Sequence, residues 1–503
     1  MSTATASSGD DEFKSRQQQP MLASQRNKAS SDNTSTPTES NRRGGVTGYF
    51  PLGYKEGFQQ WVIIMDWANV PAAKAEHAVM SYIPYLKQPP THTQTGTSLP
   101  SETPTTASYS DKQSDKALAV KSNPEDPYGP RQWHSNLVKL GGKNRALNEF
   151  SVERTGEEIE QNLVMLHGYG AGLGFFYKNF EGLSRVKGWK VYALDLLGMG
   201  RSSRPPFKLS SKDKQTCVTE AENWFIDALE EWRIQRKIDR FTLLGHSLGG
   251  YMAVAYALKY PGHLNKLILA SPVGVPEDPY AVNAEMPEPT DSTMANEFTQ
   301  DQQEDIVDGS NPKISGAAKV GDNNNFLNAR SKAQQESKAN DKEPRRPEEA
   351  QALHTYAYTL FKQRGSGEYA LAYILAPGAF ARSPLIRRIQ GVGRQYLQPD
   401  GSMTSSVESA ARRRETGLPV VFMYGENDWM DVAGGFAAAE KLKDEKAKAL
   451  KTASAEERAA ENGSAKVQVI KNAGHHVYLD GWQEFNEVMR EEMTDVSQHA
   501  KNA

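Results

Sequence analysis

The segment that most restricts this chain is Leu243-Leu244-Gly245-His246-Ser247-Leu248-Gly249-Gly250. An apolar run precedes it and a helical apolar pattern follows it, so the pattern G-x-S-x-G falls where a strand turns directly into a helix. Such a turn is sharp enough that Cβ atoms at the flanking positions would collide, which accounts for Gly245 and Gly249. The serine at its apex is forced into a strained conformation. The helix that begins there points the positive end of its dipole at whatever the serine attacks. The bland alternative is a tight glycine turn with an idle serine, and the strand–turn–helix context argues against it.

The surrounding pattern is consistent with that reading. Leu163–Leu166, Lys190–Leu194, Phe241–Leu244, Leu267–Ala270, Val420–Met423 and Val467–Ile470 are short apolar runs separated by helical patterns. Strands buried on both faces look like this, and they imply a parallel sheet. Val218, Ala221, Phe225, Ala228, Leu229 and Trp232 form one helical stripe. Met252, Ala255, Ala257 and Leu258 form another, stopped by Pro261. The class is α/β, with a mostly parallel central sheet and helices on both faces. Active sites in such sheets lie at the carboxyl ends of the strands.

A serine is a weak nucleophile and needs a base, and the base needs an orienting acid. The order Ser, acid, His is the one α/β hydrolases use. The run Val420–Met423 opens into Tyr424-Gly425-Glu426-Asn427-Asp428-Trp429-Met430-Asp431, and Val467–Ile470 opens into Lys471-Asn472-Ala473-Gly474-His475-His476. His475 is the expected base, with His476 as its alternative. Asp428 is favoured as the acid over Asp431, and the one not used would cap the next helix. The expected oxyanion donors are the N–H groups of Leu248 and of Tyr169, in the small-residue loop His167-Gly168-Tyr169-Gly170-Ala171-Gly172. A phosphate cradle is the weaker reading of that loop, because no G-x-x-x-x-G-K-[ST] or G-x-G-x-x-G opens a helix there. Asp195, after the second strand, is expected to anchor a turn.

Composition restricts the function further. Lys plus Arg is 59 against Asp plus Glu at 62, a net charge of −3, which argues against a nucleic-acid protein. Cys217 is the only cysteine, so neither an internal disulfide nor a cysteine metal cluster can form. No apolar run approaches the roughly 20 residues of a spanning helix. The N-terminus lacks a secretory layout, and Asp10, Asp11 and Glu12 weigh against a mitochondrial presequence. Residues 1–45 are expected to be a disordered tail and 88–125 a linker. Residues 46–87 form an aromatic amphipathic segment: Phe58, Trp61, Met65 and Ala68 recur at helical spacing, to lie on a lipid surface or to pack on the core. The core is expected at 126–275 and 416–503, with an inserted cap at 276–415 whose part 277–350 is disordered. Lys441–Lys466 is expected to be a solvated helix or inserted arm.

At these residues the chain resembles the α/β-hydrolase-domain lipid enzymes, a group containing cardiolipin deacylases, lysophosphatidic acid acyltransferases and a lipid-droplet lipase co-activator. The resemblance is carried by Gly168–Phe176, Leu194–Pro205, the elbow through Tyr251, Tyr424–Asp431 and His475–Asp480. It implies an α/β-hydrolase fold with an inserted cap. It also implies a serine ester hydrolase of phospholipase A type that deacylates phospholipid, cardiolipin by analogy, with acyl transfer as a linked activity. The group's H-x-x-x-x-D pattern, proposed for acyl transfer from acyl-CoA to lysophosphatidic acid, falls on His475 and Asp480. The simpler account is one acyl-enzyme at Ser247, with Asp480 capping the terminal helix. No metal or organic cofactor is required, and acyl-CoA enters only as a co-substrate. The implied location is intracellular, either cytoplasmic or peripheral on a mitochondrial membrane or lipid droplet. The alternative is a non-catalytic scaffold on such a surface that regulates a lipase. In the co-activator branch the nucleophile is replaced, whereas here Ser247 is present.

Overall fold

The computed structural model describes residues 70–86, 88–92, 118–121, 123–286, 346–397 and 413–502. All of them belong to one compact unit, Asp66–Ala503. The strands are β1 (Leu118–Lys121), β2 (Arg131–Lys139), β3 (Ala146–Arg154), β4 (Gln161–Leu166), β5 (Trp189–Leu194), β6 (Phe241–His246), β7 (Leu264–Ala270), β8 (Leu375–Ala376), β9 (Phe380–Ala381), β10 (Pro419–Gly425) and β11 (Ser464–Ile470). The longer helices are α1 (Ala72–Met80), α2 (Lys214–Gln235), α3 (Leu248–Lys259), α4 (Pro347–Phe361), α5 (Gly367–Ile374), α6 (Val432–Thr452) and α7 (Trp482–Asn502).

Among the described residues, nine strands form one sheet in the order β1-β2-β3-β5-β4-β6-β7-β10-β11. From β5 to β11 every pairing is parallel, and β1, β2 and β3 add an antiparallel edge. Strand alternation divides the core in two. Val164, Leu166, Leu243, Leu267 and Phe422 point to the face covered by α2, α3 and α6. Leu163, Met165, Leu244, Ile268 and Met423 point to the face covered by α1 and α7. The α2 stripe expected from the sequence is buried throughout, and Asp213 caps that helix by accepting from Thr216 N–H at 2.9 Å.

Several features differ from the sequence reading. Within 277–350, read as disordered, Pro279–Asn283 is a short helix and α4 starts at Pro347. Leu118–Lys121, taken as linker, is a strand paired antiparallel with β2. Its alternating half-exposed side chains suit a sheet edge, and four residues are too few to reveal a period. The antiparallel edge β2–β3 was also not apparent, because Arg131, Ser135, Asn148, Glu149 and Ser151 are polar yet buried. In the aromatic segment, Ala72–Met80 packs on the core through Ala75, Glu76, Val79 and Met80. Phe58, Trp61, Met65 and Ala68 lie outside the described residues, as do 1–45, 93–117 and 287–345. Within the expected cap, Tyr356, Leu360, Leu371, Tyr373 and Ile374 are buried, whereas Tyr358 and Tyr369 are exposed. The Lys441–Lys466 stretch supplies the second half of α6, a short helix Ala455–Ala459 and the start of β11.

Candidate active site

At the end of β6 the chain reverses at Ser247, whose φ is 51° and ψ −114°. A non-glycine residue held there costs about 1–3 kcal/mol, so the surroundings must impose it. Ser247 N–H donates to Ala270 O at 2.9 Å, and Ser247 O accepts from Gly250 and Tyr251 N–H to start α3. A Cβ at Gly249 would lie 2.6 Å from Leu166 O, and one at Gly245 would run into the backbone of Gly249. The glycines therefore set how closely α3 approaches β4 and β6. Leu248 is the first residue of α3, where helix geometry provides no intrahelical acceptor for its N–H.

The loop after β4 lies against this bend. A Cβ at Gly168 would stand 3.0 Å from Ser247 Cβ and 2.9 Å from His246 Nδ1. His167 fixes the next peptide. Its Nε2 accepts from Leu196 N–H at 3.0 Å, so its proton sits on Nδ1 and is donated to Gly168 O at 2.7 Å. Burial holds His167 below the usual histidine range, which keeps that neutral form. Gly168 C=O and Tyr169 N–H belong to one trans peptide. Holding the carbonyl on one side therefore directs the Tyr169 N–H to the other. The sequence reading passed over His167; its position between the apolar run and Gly168 was the available signal.

The other two predicted groups meet beside the elbow. His475 Nδ1 lies 3.1 Å from Asp428 Oδ1, and the Asp428 side chain is fully buried. Asp428 can only accept, so His475 carries its proton on Nδ1 and leaves Nε2 as a base. Asp428 Oδ1 also accepts from Met430 N–H at 3.0 Å. The two loops are joined by Asn427 N–H to Ala473 O and Glu426 N–H to Ile470 O, both 2.9 Å. His246, the residue before Ser247, donates from Nε2 to His475 O at 3.0 Å, and the two rings are 4.7 Å apart. Burial, reinforced by His475 and His476, holds His246 well below the ordinary histidine range. Trp429 covers His475 at 4.7 Å between ring centroids.

The alternatives have other partners. Asp431 caps α6, accepting from Ala433 N–H at 2.9 Å. The His476 ring stacks on Phe175 at 6.1 Å. Asp480, the acyl-transfer motif residue whose alternative role is a cap of the terminal helix, accepts from Gly474 N–H at 3.2 Å and so steadies the turn that presents His475. Asp195 anchors its turn as expected, accepting from Leu173 and Arg201 N–H at 2.6 and 2.7 Å. Among the described residues no group of three or more His, Cys, Asp or Glu side chains is placed to hold a metal, and no helix is long and apolar enough to cross a membrane.

Residues 161–481 match the family model described as alpha/beta hydrolase fold. An Arabidopsis thaliana protein named 1-acylglycerol-3-phosphate O-acyltransferase is 35% identical over 309 residues, covering 60% of this chain and 63% of its own length. A Rattus norvegicus protein named 1-acylglycerol-3-phosphate O-acyltransferase ABHD5 is 32% identical over 329 residues, 65% of this chain and 76% of that one. A Bos taurus protein named (lyso)-N-acylphosphatidylethanolamine lipase is 29% identical over 336 residues, 65% of this chain and 78% of that one. The chain thus spans less than two thirds of the length of the plant relative.

Proposed function

The chain belongs to the α/β-hydrolase fold family, and on that premise we propose that it is a serine ester hydrolase that deacylates glycerophospholipids through an acyl-enzyme at Ser247. The observation that carries this reading is the Asp428–His475 pair, at 3.1 Å, seated against the elbow that strains Ser247. Ser247 Oγ attacks the ester carbonyl while His475 Nε2 takes its proton. The proton then goes to the leaving alcohol. Asp428 holds the imidazole in the required tautomer and stabilises its charged form. The N–H groups of Leu248 and Tyr169 receive the oxyanion, each worth about 3–4 kcal/mol in comparable sites. Water as second acceptor releases a fatty acid, and the hydroxyl of lysophosphatidic acid yields phosphatidic acid. With acyl-CoA as donor, the same acyl-enzyme forms with the thiol as leaving group. One site therefore serves both hydrolysis and transfer, and Asp480 acts by steadying the His475 turn. The names of the similar plant and mammalian proteins support a phospholipid or lysophospholipid substrate.

The test begins with a fluorophosphonate probe on the folded full chain. Covalent labelling that disappears in Ser247→Ala supports the reading, and a folded wild type that takes no label supports the scaffold instead. Vesicles of phosphatidylcholine carrying phosphatidic acid, cardiolipin or N-acylphosphatidylethanolamine then identify the headgroup by the fatty acid released. Labelled acyl-CoA supplied with lysophosphatidic acid separates transfer from hydrolysis.

A further inference from the structure

The turn next to the proposed oxyanion donor is closed by a ring of hydrogen bonds, and one member of the ring comes from α1, more than ninety positions earlier in the chain. Leu173 N–H donates to Asp195 Oδ1 at 2.6 Å. Asp195 Oδ2 accepts from the Asn148 amide at 2.7 Å, and the same amide nitrogen reaches Glu76 Oε2 at 3.1 Å. Tyr356, on α4, donates its hydroxyl proton to Glu76 Oε2 at 3.4 Å and accepts from Gly174 N–H at 3.3 Å. The ring thus returns to the turn it left. The Arg201 guanidinium bonds the other oxygen of Glu76 and Thr91 Oγ1. Glu76, Asn148, Asp195, Arg201 and Tyr356 are all buried. There is no room beside them: a Cβ at Gly174 would stand 2.7 Å from the Tyr356 ring.

Taking a carboxylate into the core is expensive, and a buried ion pair contributes little net stability compared with an apolar pair. What such a network adds is direction, because each partner is fixed by several hydrogen bonds at once. Here the direction is given to the backbone. Ala171 N–H donates to Gly168 O at 3.4 Å, the carbonyl that His167 also holds, so the 172–174 turn and the Gly168–Tyr169 peptide are coupled through three residues.

We propose that Glu76 and Tyr356 are positioning residues for the oxyanion turn: α1 and α4, joined through the Glu76 carboxylate, hold the backbone of residues 172–174, and through it the Tyr169 N–H, at the place where reaction at Ser247 needs it. The proposal rests on the hydrolase reading above. Neither residue touches substrate. Loss of either lets the turn relax, which weakens a transition-state contact and leaves ground-state binding alone.

The experiment uses the full chain, a soluble p-nitrophenyl ester and the fluorophosphonate probe, with Tyr356→Phe, Glu76→Gln and the double variant. Each single variant is expected to lower kcat about tenfold with KM within about twofold, since small misplacements in active sites have effects of that order or larger. Because both act through one ring, the double variant should lose within about twofold of the worse single variant rather than the product of the two. An unchanged kcat in Tyr356→Phe, a rise in KM alone, or losses that multiply would overturn the proposal. Glu76→Gln strands the buried Arg201 and can fail to fold; Tyr356→Phe removes one oxygen and no charge, and then decides alone. A wild type that neither turns over the ester nor takes the probe at Ser247 refutes the hydrolase reading and this proposal with it. A wild type that does both, beside variants that match it, overturns this proposal only.

Discussion

Two aspartates three positions apart occupy different places, and the difference is measurable. The Asp428 side chain lies buried in the loop after β10 with His475 on its carboxylate, whereas Asp431 sits exposed at the N-cap of α6. Asp428→Asn would put an amide donor opposite Nδ1 and favour the wrong imidazole tautomer, so ester turnover should fall roughly 10³–10⁴-fold with the fold intact. Asp431→Ala should keep turnover and lose about 1 kcal/mol of stability from the uncapped helix, read by urea denaturation. Spacing from Gly425 pointed to Asp428 because the loop leaves the strand at a fixed place. Glu76 was not legible as part of the site, since its partners Asn148, Arg201 and Tyr356 are brought to it only by the tertiary fold. Its titration gives another prediction. Burial, partly offset by Arg201, pushes Glu76 from an ordinary 4.5 up to about 7. The folded state therefore holds this proton more tightly than the unfolded chain. The resulting stability is full below about pH 4.5 and is lost as the pH rises through about 7, at most roughly 3 kcal/mol. Asp195 and Tyr356 face the same carboxyl, and neighbouring His92 is pushed down to about 3, which gives the opposite slope. Both the wild type and Glu76→Gln keep these groups, so the difference between their denaturation free energies should fall between these two pH values and then level.

At the scale of elements, the parallel strands announced themselves and the antiparallel edge did not. Strands β4–β7 and β10 are covered on both faces, so Leu163–Leu166 or Val420–Met423 read as unbroken apolar runs. Strands β2 and β3 bury polar side chains instead, and the charged ones find partners on other elements: Arg131 with Glu181, and Glu149 with Trp232 and Arg236. No local pattern encodes such partners. The docking of α7 shows the same physics. Lys266 on β7 is buried and reaches Glu492 Oε2 at 2.7 Å and Asp495 at 2.6 Å, whereas Lys466, which also pairs with Glu492, is largely exposed. Desolvation decides between them. Lys266→Ala leaves the buried Glu492 with only its exposed partner and should cost about 3 kcal/mol. Lys466→Ala removes a solvent-screened contact and should cost less than about 1 kcal/mol. Urea midpoints of the two variants compare them directly, and equal losses would mean that α7 is held by its apolar face alone.

At the scale of the whole molecule, the candidate site is assembled from distant pieces of one unit. Residue Glu76 on α1, the loop at 167–174, Ser247, Tyr356 on α4, Asp428 and His475 converge at the carboxyl edge of the sheet. An aromatic, amphipathic segment ahead of such a core reads equally as a lipid-facing arm or as core, and for Ala72–Leu86 the packing resolves the choice. Val79, Met80, Ile83 and Leu86 are at most 3% exposed and share a cluster with Phe175, Phe176 and Tyr356. At about 2 kcal/mol for each buried side chain, these four contribute roughly 8 kcal/mol. That is comparable with the entire stability of an ordinary domain, about 5–15 kcal/mol. Two truncations separate arm from core. A chain beginning at Asp66 keeps the whole compact unit, and should keep a cooperative thermal transition and probe labelling at Ser247. A chain beginning at Gln88 lacks α1, and should lose both together, because the exposed cluster and the missing Glu76 act on the fold and on the oxyanion turn at once. If the shorter chain still melted cooperatively and took the probe at the wild-type rate, α1 would be dispensable to the core, and the packing argument for it would fail.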